Sequence, residues 1–400
     1  MVPGIKKVII KNYKSIAQSS VELEPLSVFV GPNGAGKSNF FDALAFVQEC
    51  LSDSVELAFK NRGGIASVRR ISPGHPTNIG IRVIIDFGSG SSADYAFEIA
   101  ARQDKRFTIK QERCAVKGFM EEDAVFDIRD GVFTREIPGI RPKISTDRLA
   151  LYAASATEAF RPVYDFLTSM RFYSIVPGKL RELQEPDPGN FLKHDGSNSA
   201  AVLKNLNSDP IGKSRYDRLC RLLSRVVEGV SKVEYKAFGQ KETLQFKQNV
   251  GQDSPWTFDA WNMSDGTLRV LGLFLAVYQR GTHSLVAIEE PEATVHPAVA
   301  EIIIEVILKA AKERQIILTT HSPDILDYKS LTDGQIRVVI MKEGKTIISP
   351  ISISSREAIK EHLYTPGELL RINELNPDLV SSQNSAKQLK LFGPIPTDQD

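Results

Sequence analysis

Apolar positions near the start of this chain come in short β-type runs, at 8–10, 21–23 and 26–30. The last is a continuous apolar stretch between Pro25 and Gly31 that suits a buried strand. The period then changes. Phe40, Leu44, Val47 and Leu51 recur at helical spacing, predicting a helix that runs to about residue 57 and is broken by Arg62-Gly63-Gly64. From 79 to 137 β-type runs at 81–87, 95–101, 107–109 and 125–128 alternate with turns, predicting an antiparallel sheet. Residues 146–170 read as a helix with Phe160, Val163, Tyr164, Leu167 and Met170 on one face, followed by a strand at 172–176 and a Pro/Gly-rich loop at 177–196. A further amphipathic helix carries Tyr216, Leu219, Leu222, Leu223 and Val226, and strands at 233–238 and 244–246 follow it. Beyond them lie an apolar helix ending near Val277, buried strands at 285–288 and 316–318 around a helix at 299–311, a hairpin at 336–353 and a helix near Glu368. No heptad repeat is sustained, so no long coiled-coil arm is expected. From Asn376 the chain is polar and Pro-containing and reads as a flexible tail.

The order strand, glycine-rich loop, helix gives the loop its chemistry. Gly31-Pro32-Asn33-Gly34-Ala35-Gly36-Lys37-Ser38 fits G-x-x-x-x-G-K-[ST], the phosphate-binding loop. Glycines let the backbone wrap close and turn N–H groups toward a phosphate, and the helix N-terminus adds unpaired donors and a positive dipole end. Asn33, Gly34, Gly36, Lys37 and Ser38 are therefore the expected ATP contacts. Lys37 would reach the β- and γ-phosphates and Ser38 would ligate Mg²⁺.

Three later segments carry matching chemistry. Met263-Ser264-Asp265-Gly266-Thr267 opens the apolar helix, where the Ser264 hydroxyl and the Gly266 backbone offer donors to an anion. Glu289 and Glu290 end a buried strand, the position at which phosphate-loop proteins hold Mg²⁺ and activate water. His321 ends the next buried strand, where a γ-phosphate contact is expected.

Composition narrows the setting. Hydrophobic residues at 42% and charged residues at 25% are those of a globular protein, and 50 basic against 49 acidic residues exclude a global field that would advertise nucleic acid. Any DNA contact must come from a local patch. One candidate is the basic stretch Arg102, Lys105, Arg106, Lys110, Arg113 and Lys117, set against Asp104 and Glu112; a charge-protected edge strand is the alternative. Cys50, Cys114 and Cys220 have no C-x-x-C spacing, so neither a zinc site nor a disulfide framework is indicated. With no membrane-length apolar run and no signal-peptide pattern, the expected location is the cytoplasm.

Taken together, GPNGAGKS, MSDGT, LVAIEEPEATVHP and LTTHSPDIL resemble the ABC-type ATPase heads of the RecF/SMC class, and most nearly the OLD-like predicted bacterial ATPases. The resemblance covers roughly 1–65 and 150–370. It implies an α/β P-loop NTPase head over 1–375, divided into a phosphate-loop part at 1–65, an antiparallel β subdomain at 66–145, a helical and β lobe at 146–262 and a core at 263–375, with a tail at 376–400. It also implies an ATP-dependent homodimer in which Lys37 and Ser38 of one copy share ATP with Ser264 and Gly266 of the other. Glu289 would hold Mg²⁺, Glu290 would be the general base, His321 would touch the γ-phosphate, and the loop 292–296 would link the two sites. Glu289 departs from the usual ABC aspartate, as in OLD-like relatives. The glutamine that follows the first lobe in this class is not placed, with Gln48, Gln111 and Gln184 all candidates.

OLD nucleases continue into a Toprim domain, for which the stretch after His321 offers neither room nor an acidic cluster, so a separate nuclease effector is the expected partner. In the tail, Gln388, Leu389, Leu391 and Phe392 lie in QLKLF, which resembles the peptide by which bacterial proteins dock on the sliding clamp; docking on the protein's own body is the alternative. The expected function is Mg²⁺-dependent ATP hydrolysis coupled to DNA repair or antiphage defence. A second reading is an ATP-gated regulator of a toxin or nuclease without direct DNA binding. A transporter subunit is disfavoured by the more than two hundred residues between Ser38 and Ser264.

Overall fold

The computed structural model describes residues 2–71, 78–102, 106–140, 142–143, 145, 147–251, 254–382 and 390–393. The chain divides into two compact units. The first comprises 1–170, 332–364 and 372–400, and the second 171–331 and 365–371.

Strict alternation builds the large sheet of the first unit. In Ile79–Gly88, for instance, Ile79, Ile81, Val83 and Ile85 are buried while Arg82, Ile84 and Asp86 are half-buried. Seven strands lie in the order Ile16–Glu22, Gly4–Tyr13, Ile79–Gly88, Ser91–Ala101, Phe107–Lys117, Ala124–Arg129 and Val132–Arg135, with every pair antiparallel. The helix Lys37–Ser52 buries Phe40, Phe41, Leu44, Phe46, Val47 and Leu51, and the Phe46 ring meets Tyr13, Phe59 and Phe97 at centroid distances of 5.7, 4.9 and 6.4 Å. Leu26–Val30 is buried at all five positions, as expected of a strand covered on both faces. It runs parallel to Ile336–Lys342, which turns back antiparallel as Lys345–Pro350.

Polar groups fix the helix against this core. Asp42 accepts from the Tyr13 hydroxyl (2.7 Å) and from Arg62 Nε (2.8 Å) and pairs with Lys14 (2.6 Å), while Arg62 also grips Glu49. Burial pulls the Asp42 carboxyl upward, but Arg62, Lys14 and Tyr13 outweigh it and hold Asp42 below the usual carboxylate range.

Two predicted helices come out shorter. The loop helix stops at Ser52, and Ser54 caps a separate helix, Val55–Lys60, by accepting from the Leu57 N–H. The stretch 146–170 contains Leu151–Ala154 and Arg161–Thr168 rather than one helix, because Pro162 opens a helix instead of continuing one.

In the second unit, Gln315–Thr320, Leu285–Glu289 and Arg171–Tyr173 form adjacent parallel strands. The helices Asp265–Tyr278, Pro297–Ala310 and Pro210–Val226 lie near them in sequence, and Val230–Phe238, Lys241–Gln248 and Trp256–Asp259 make a small antiparallel sheet. The region read as a loop at 177–196 holds a short helix, Pro177–Arg181, and Ser199–Leu206 is a helix that periodicity missed. Ala200, Ala201, Val202, Leu203 and Leu206 are all buried there, so no polar face marks the period.

Part of the tail docks on the first unit. Arg82 Nη1 donates to the Lys390 carbonyl (2.9 Å), Leu391 lies over Gly80, where a Cβ would collide with it, and Arg113 sits over the Phe392 ring at 5.9 Å while donating to the Gly393 carbonyl (2.6 Å). Gln388 and Leu389 of the clamp-like stretch lie outside the described residues.

Candidate functional site

The phosphate loop belongs to the first unit. Gly36 caps the helix Lys37–Ser52 in the left-handed region, at φ 100° and ψ 19°, and a side chain there would strike the Thr346 hydroxyl, so only glycine closes the loop this way. The helix starts without a side-chain cap and without an acid in its first turn, leaving its N–H groups and dipole end for an anion. Asn33, Gly34 and Ser38 are exposed around this opening. Lys37 is 5% exposed, and its ammonium donates to the carbonyls of Gly31 (2.7 Å) and Pro32 (3.2 Å), which hold it inside the loop.

Hydroxyls brace the loop from behind. Thr346 Oγ1, on the strand Lys345–Pro350, donates to the Ala35 carbonyl (2.9 Å) and lies 2.6 Å from Ser15 Oγ, which accepts from Asn39 Nδ2 at 2.6 Å. Arg70 Nη1 donates to the carbonyls of Ser15 (3.1 Å) and Gly344 (2.9 Å). None of these braces belongs to the loop motif. Thr346 lies more than three hundred residues from the loop, so no local pattern could announce it.

The remaining predicted residues belong to the second unit, at the carboxyl ends of its parallel strands. Glu289 ends Leu285–Glu289 in register with Thr319. Glu290 adopts φ 43°, unusual for a side-chain-bearing residue, and its N–H donates to the Thr319 carbonyl (3.1 Å). This turn leaves Glu290 Oε1 3.5 Å from His321 Nδ1, both groups being substantially exposed. Glu292 is nearly buried and ties the two strand ends together, accepting from Thr320 Oγ1 (2.6 Å) and the His321 N–H (3.3 Å).

Ser264 caps the helix Asp265–Tyr278, its Oγ accepting from the Thr267 N–H (3.2 Å). A Cβ on Gly266 would approach the Thr294 carbonyl to 2.9 Å, so glycine permits the helix start to lie against the loop 292–296. Asp265, an acid in the first turn, is neutralised by Arg181, which also donates to the Met263 carbonyl (3.1 Å). Arg269 faces Glu290, Glu292 and Asp265. Burial pulls its pKa down, the carboxylates oppose that pull, and its Nε has no partner. Sequence reasoning had not singled out Arg269, although the periodicity of its helix could have.

The three candidate glutamines are engaged locally. Gln48 donates to Ser52 Oγ, Gln111 to Asp127, and buried Gln184 holds Ser199 Oγ and accepts from the Ala200 N–H. The basic stretch is likewise largely occupied. Arg113 is buried, Lys110 pairs with Asp130 (2.8 Å), Lys117 with Asp123 (3.7 Å), and Arg102 donates to Thr108; Asp104 and Lys105 lie outside the described residues.

The residue set fits a nucleoside triphosphate with Mg²⁺. In the first unit a cradle that a Cβ would fill opens onto an uncapped helix N-terminus, beside which Ser38 offers a hard oxygen donor of the kind Mg²⁺ prefers; Glu289, in the second unit, is a donor of the same kind. Among the described residues no cluster of three or more His, Cys, Asp or Glu is arranged to hold a metal by itself.

Residues 4–136 match the family described as AAA ATPase domain, and residues 177–327 the family described as AAA domain, putative AbiEii toxin, Type IV TA system. The chain is 21% identical to the Old nuclease of Escherichia phage P2 over 398 aligned residues, covering 89% of this chain and 62% of that protein, so it spans less than two thirds of that relative's length. Among solved structures it is similar to an SMC head bound to the C-winged helix domain of ScpA, with a TM-score of 0.53, 14% identity and coverage of 88% of this chain and 99% of the other. It is similar also to the SMC head with a coiled coil and joint from Pyrococcus yayanosii, with a TM-score of 0.52, 11% identity and coverage of 90% and 100%. The fold is that of an SMC-type ATPase head. Among the described residues the longest helix has 17 residues, so none forms a coiled-coil arm, and no helix is long and apolar enough to cross a membrane.

Proposed function

We propose that this ABC-type ATPase, related to the OLD nuclease, hydrolyses ATP between two copies of itself and couples that cycle to DNA repair or antiphage defence through a separate effector. The observation that carries the reading is Glu290, set at φ 43° at a strand end with its carboxylate 3.5 Å from His321. Lys37 and the loop amides hold the β- and γ-phosphates. Glu290 takes the proton of the attacking water, and His321 steadies the γ-phosphate. Ser264 and Gly266 of a second copy close over the same phosphate, presenting the N-terminal end of the helix Asp265–Tyr278. Ser38 and Glu289 would hold Mg²⁺, which would supply charge neutralisation on the phosphate oxygens.

Glu290→Gln keeps the shape of the site and removes its base. Turnover is expected to fall by about 10²–10³, while ATP binding survives and a dimer accumulates that light scattering detects. A monomer in saturating ATP would remove the two-copy site, and undiminished hydrolysis would remove Glu290 from its role.

The second reading, an ATP-gated regulator of a toxin or nuclease partner, draws on the family description that names a putative toxin and on how few bases of the 102–117 stretch are left for DNA. A filter-binding assay with duplex DNA at graded salt separates the two. Binding that weakens steeply with salt favours the DNA-linked reading, and no binding favours the regulator.

A further inference from the structure

The three parallel strands of the second unit start side by side at Arg171, Leu285 and Gln315, with Glu289 and His321 at their other ends. The residues at or just before those starts are Arg171, His283 and Arg314, all basic. Arg215, from the helix Pro210–Val226, joins them, and with Arg218, Lys309, Tyr278 and Arg314 it lines a narrow cleft of about 30 Å³. Glu313 is the only carboxylate among the described lining residues. Its side chain is 68% exposed and reaches Arg314 at only 3.9 Å.

Among the described lining residues, Arg215, Arg218, Lys309 and Arg314 stand against the single carboxylate of Glu313; Arg215 Nη1 also donates to the Gln279 carbonyl (3.0 Å) and Arg218 lies over the Tyr278 ring at 5.3 Å. His283 is 8% exposed and its Nε2 has no hydrogen-bond partner, nor has the buried Nη1 of Arg314. Burial, then the charges of Arg171, Arg314 and Arg215, push the His283 pKa down to about 4. The unpaired buried guanidinium donor of Arg314, set among like charges, costs stability. Guanidinium and ammonium groups lining one small opening match the oxygens of a phosphate group.

We propose that this cleft is an anion site for a phosphate group of a small ligand, either inorganic pyrophosphate or the terminal phosphate of a nucleotide, separate from the ATP site. A strand of five residues, about 17 Å, separates its edge of the sheet from Glu289. The cleft's size admits one phosphate head and leaves the rest of the ligand outside.

The test uses the full chain carrying Lys37→Ala, which weakens the phosphate loop, with and without Arg215→Gln and Arg314→Gln. Thermal unfolding is followed with millimolar pyrophosphate or ADP against sodium chloride at matched ionic strength. Pyrophosphate should raise the midpoint by about 2 °C in the Lys37→Ala protein and not in the triple variant, each shift being read against that protein's own anion-free midpoint, because Arg215 also donates to the Gln279 carbonyl. A larger shift with ADP than with pyrophosphate identifies a nucleotide as the source, and the reverse identifies the free anion. Lys309→Glu, on the exposed rim, gives a second variant in which folding is not at stake and the shift should shrink. An unchanged pyrophosphate shift in both variants, or none in the Lys37→Ala protein, overturns the proposal.

Discussion

At the residue scale, two buried polar groups show how the fold spends stability. Glu112 is 1% exposed on the strand Phe107–Lys117, accepting from Tyr95 (3.0 Å) and from the N–H groups of Ala150 (2.5 Å) and Leu151 (2.8 Å). Burial nevertheless pushes its pKa up to about 7, the three donors opposing only in part. The folded state then holds a proton that the unfolded chain releases near 4.5, so this group's contribution falls as pH rises from there toward about 7. Urea denaturation should show stability declining through that window by about 3 kcal/mol, and Glu112→Gln should flatten the decline. Thr346 is the second group. Thr346→Val keeps its shape but leaves the Ala35 carbonyl and Ser15 without the hydroxyl between them. The KM for ATP should rise about tenfold with a smaller change in kcat, and Thr346→Ser should restore it. A purely structural role would instead lower the melting point and leave KM in place.

At the element scale, the helix Lys37–Ser52 carries the phosphate loop and is pinned at both a greasy and a polar face. Its apolar face was legible, because Phe40, Leu44, Val47 and Leu51 recur at helical spacing and all are buried. Its polar pins were not. Arg62 read only as part of a helix-breaking run, yet it clamps Asp42 and Glu49 with a side chain 8% exposed. Arg62→Ala strands two carboxylates that keep only Lys14, Tyr13 and Asn61 as partners, and should cost about 2 kcal/mol in urea denaturation. The loss should grow less severe as pH falls through the depressed pKa of Asp42, since protonating that carboxyl removes what Arg62 stabilises. The alternating strands 79–101 were likewise readable, whereas Ser199–Leu206, buried nearly all round, had no period to read.

At the scale of the whole molecule, the chain places its chemistry at strand and helix ends while unbroken strands carry the core. The tail illustrates what spacing cannot say. Leu391 and Phe392 fit a peptide ligand for the sliding clamp by spacing, and in the folded chain they lie against Gly80 and Arg113. By itself, the sequence determined the phosphate-loop pattern, the strand-end positions of Glu289, Glu290 and His321, and the helix-start position of Ser264, because each depends on residue types within a few positions of one another. Only the tertiary structure decided that Thr346 and Ser15 brace the loop, that Glu292 joins two strand ends, that Arg113 is buried, and that Arg171, Arg215, His283 and Arg314 crowd one edge of a sheet. The reason is distance along the chain. Parallel strands and a returning hairpin bring together residues tens to hundreds of positions apart, and no local period records which of them will meet.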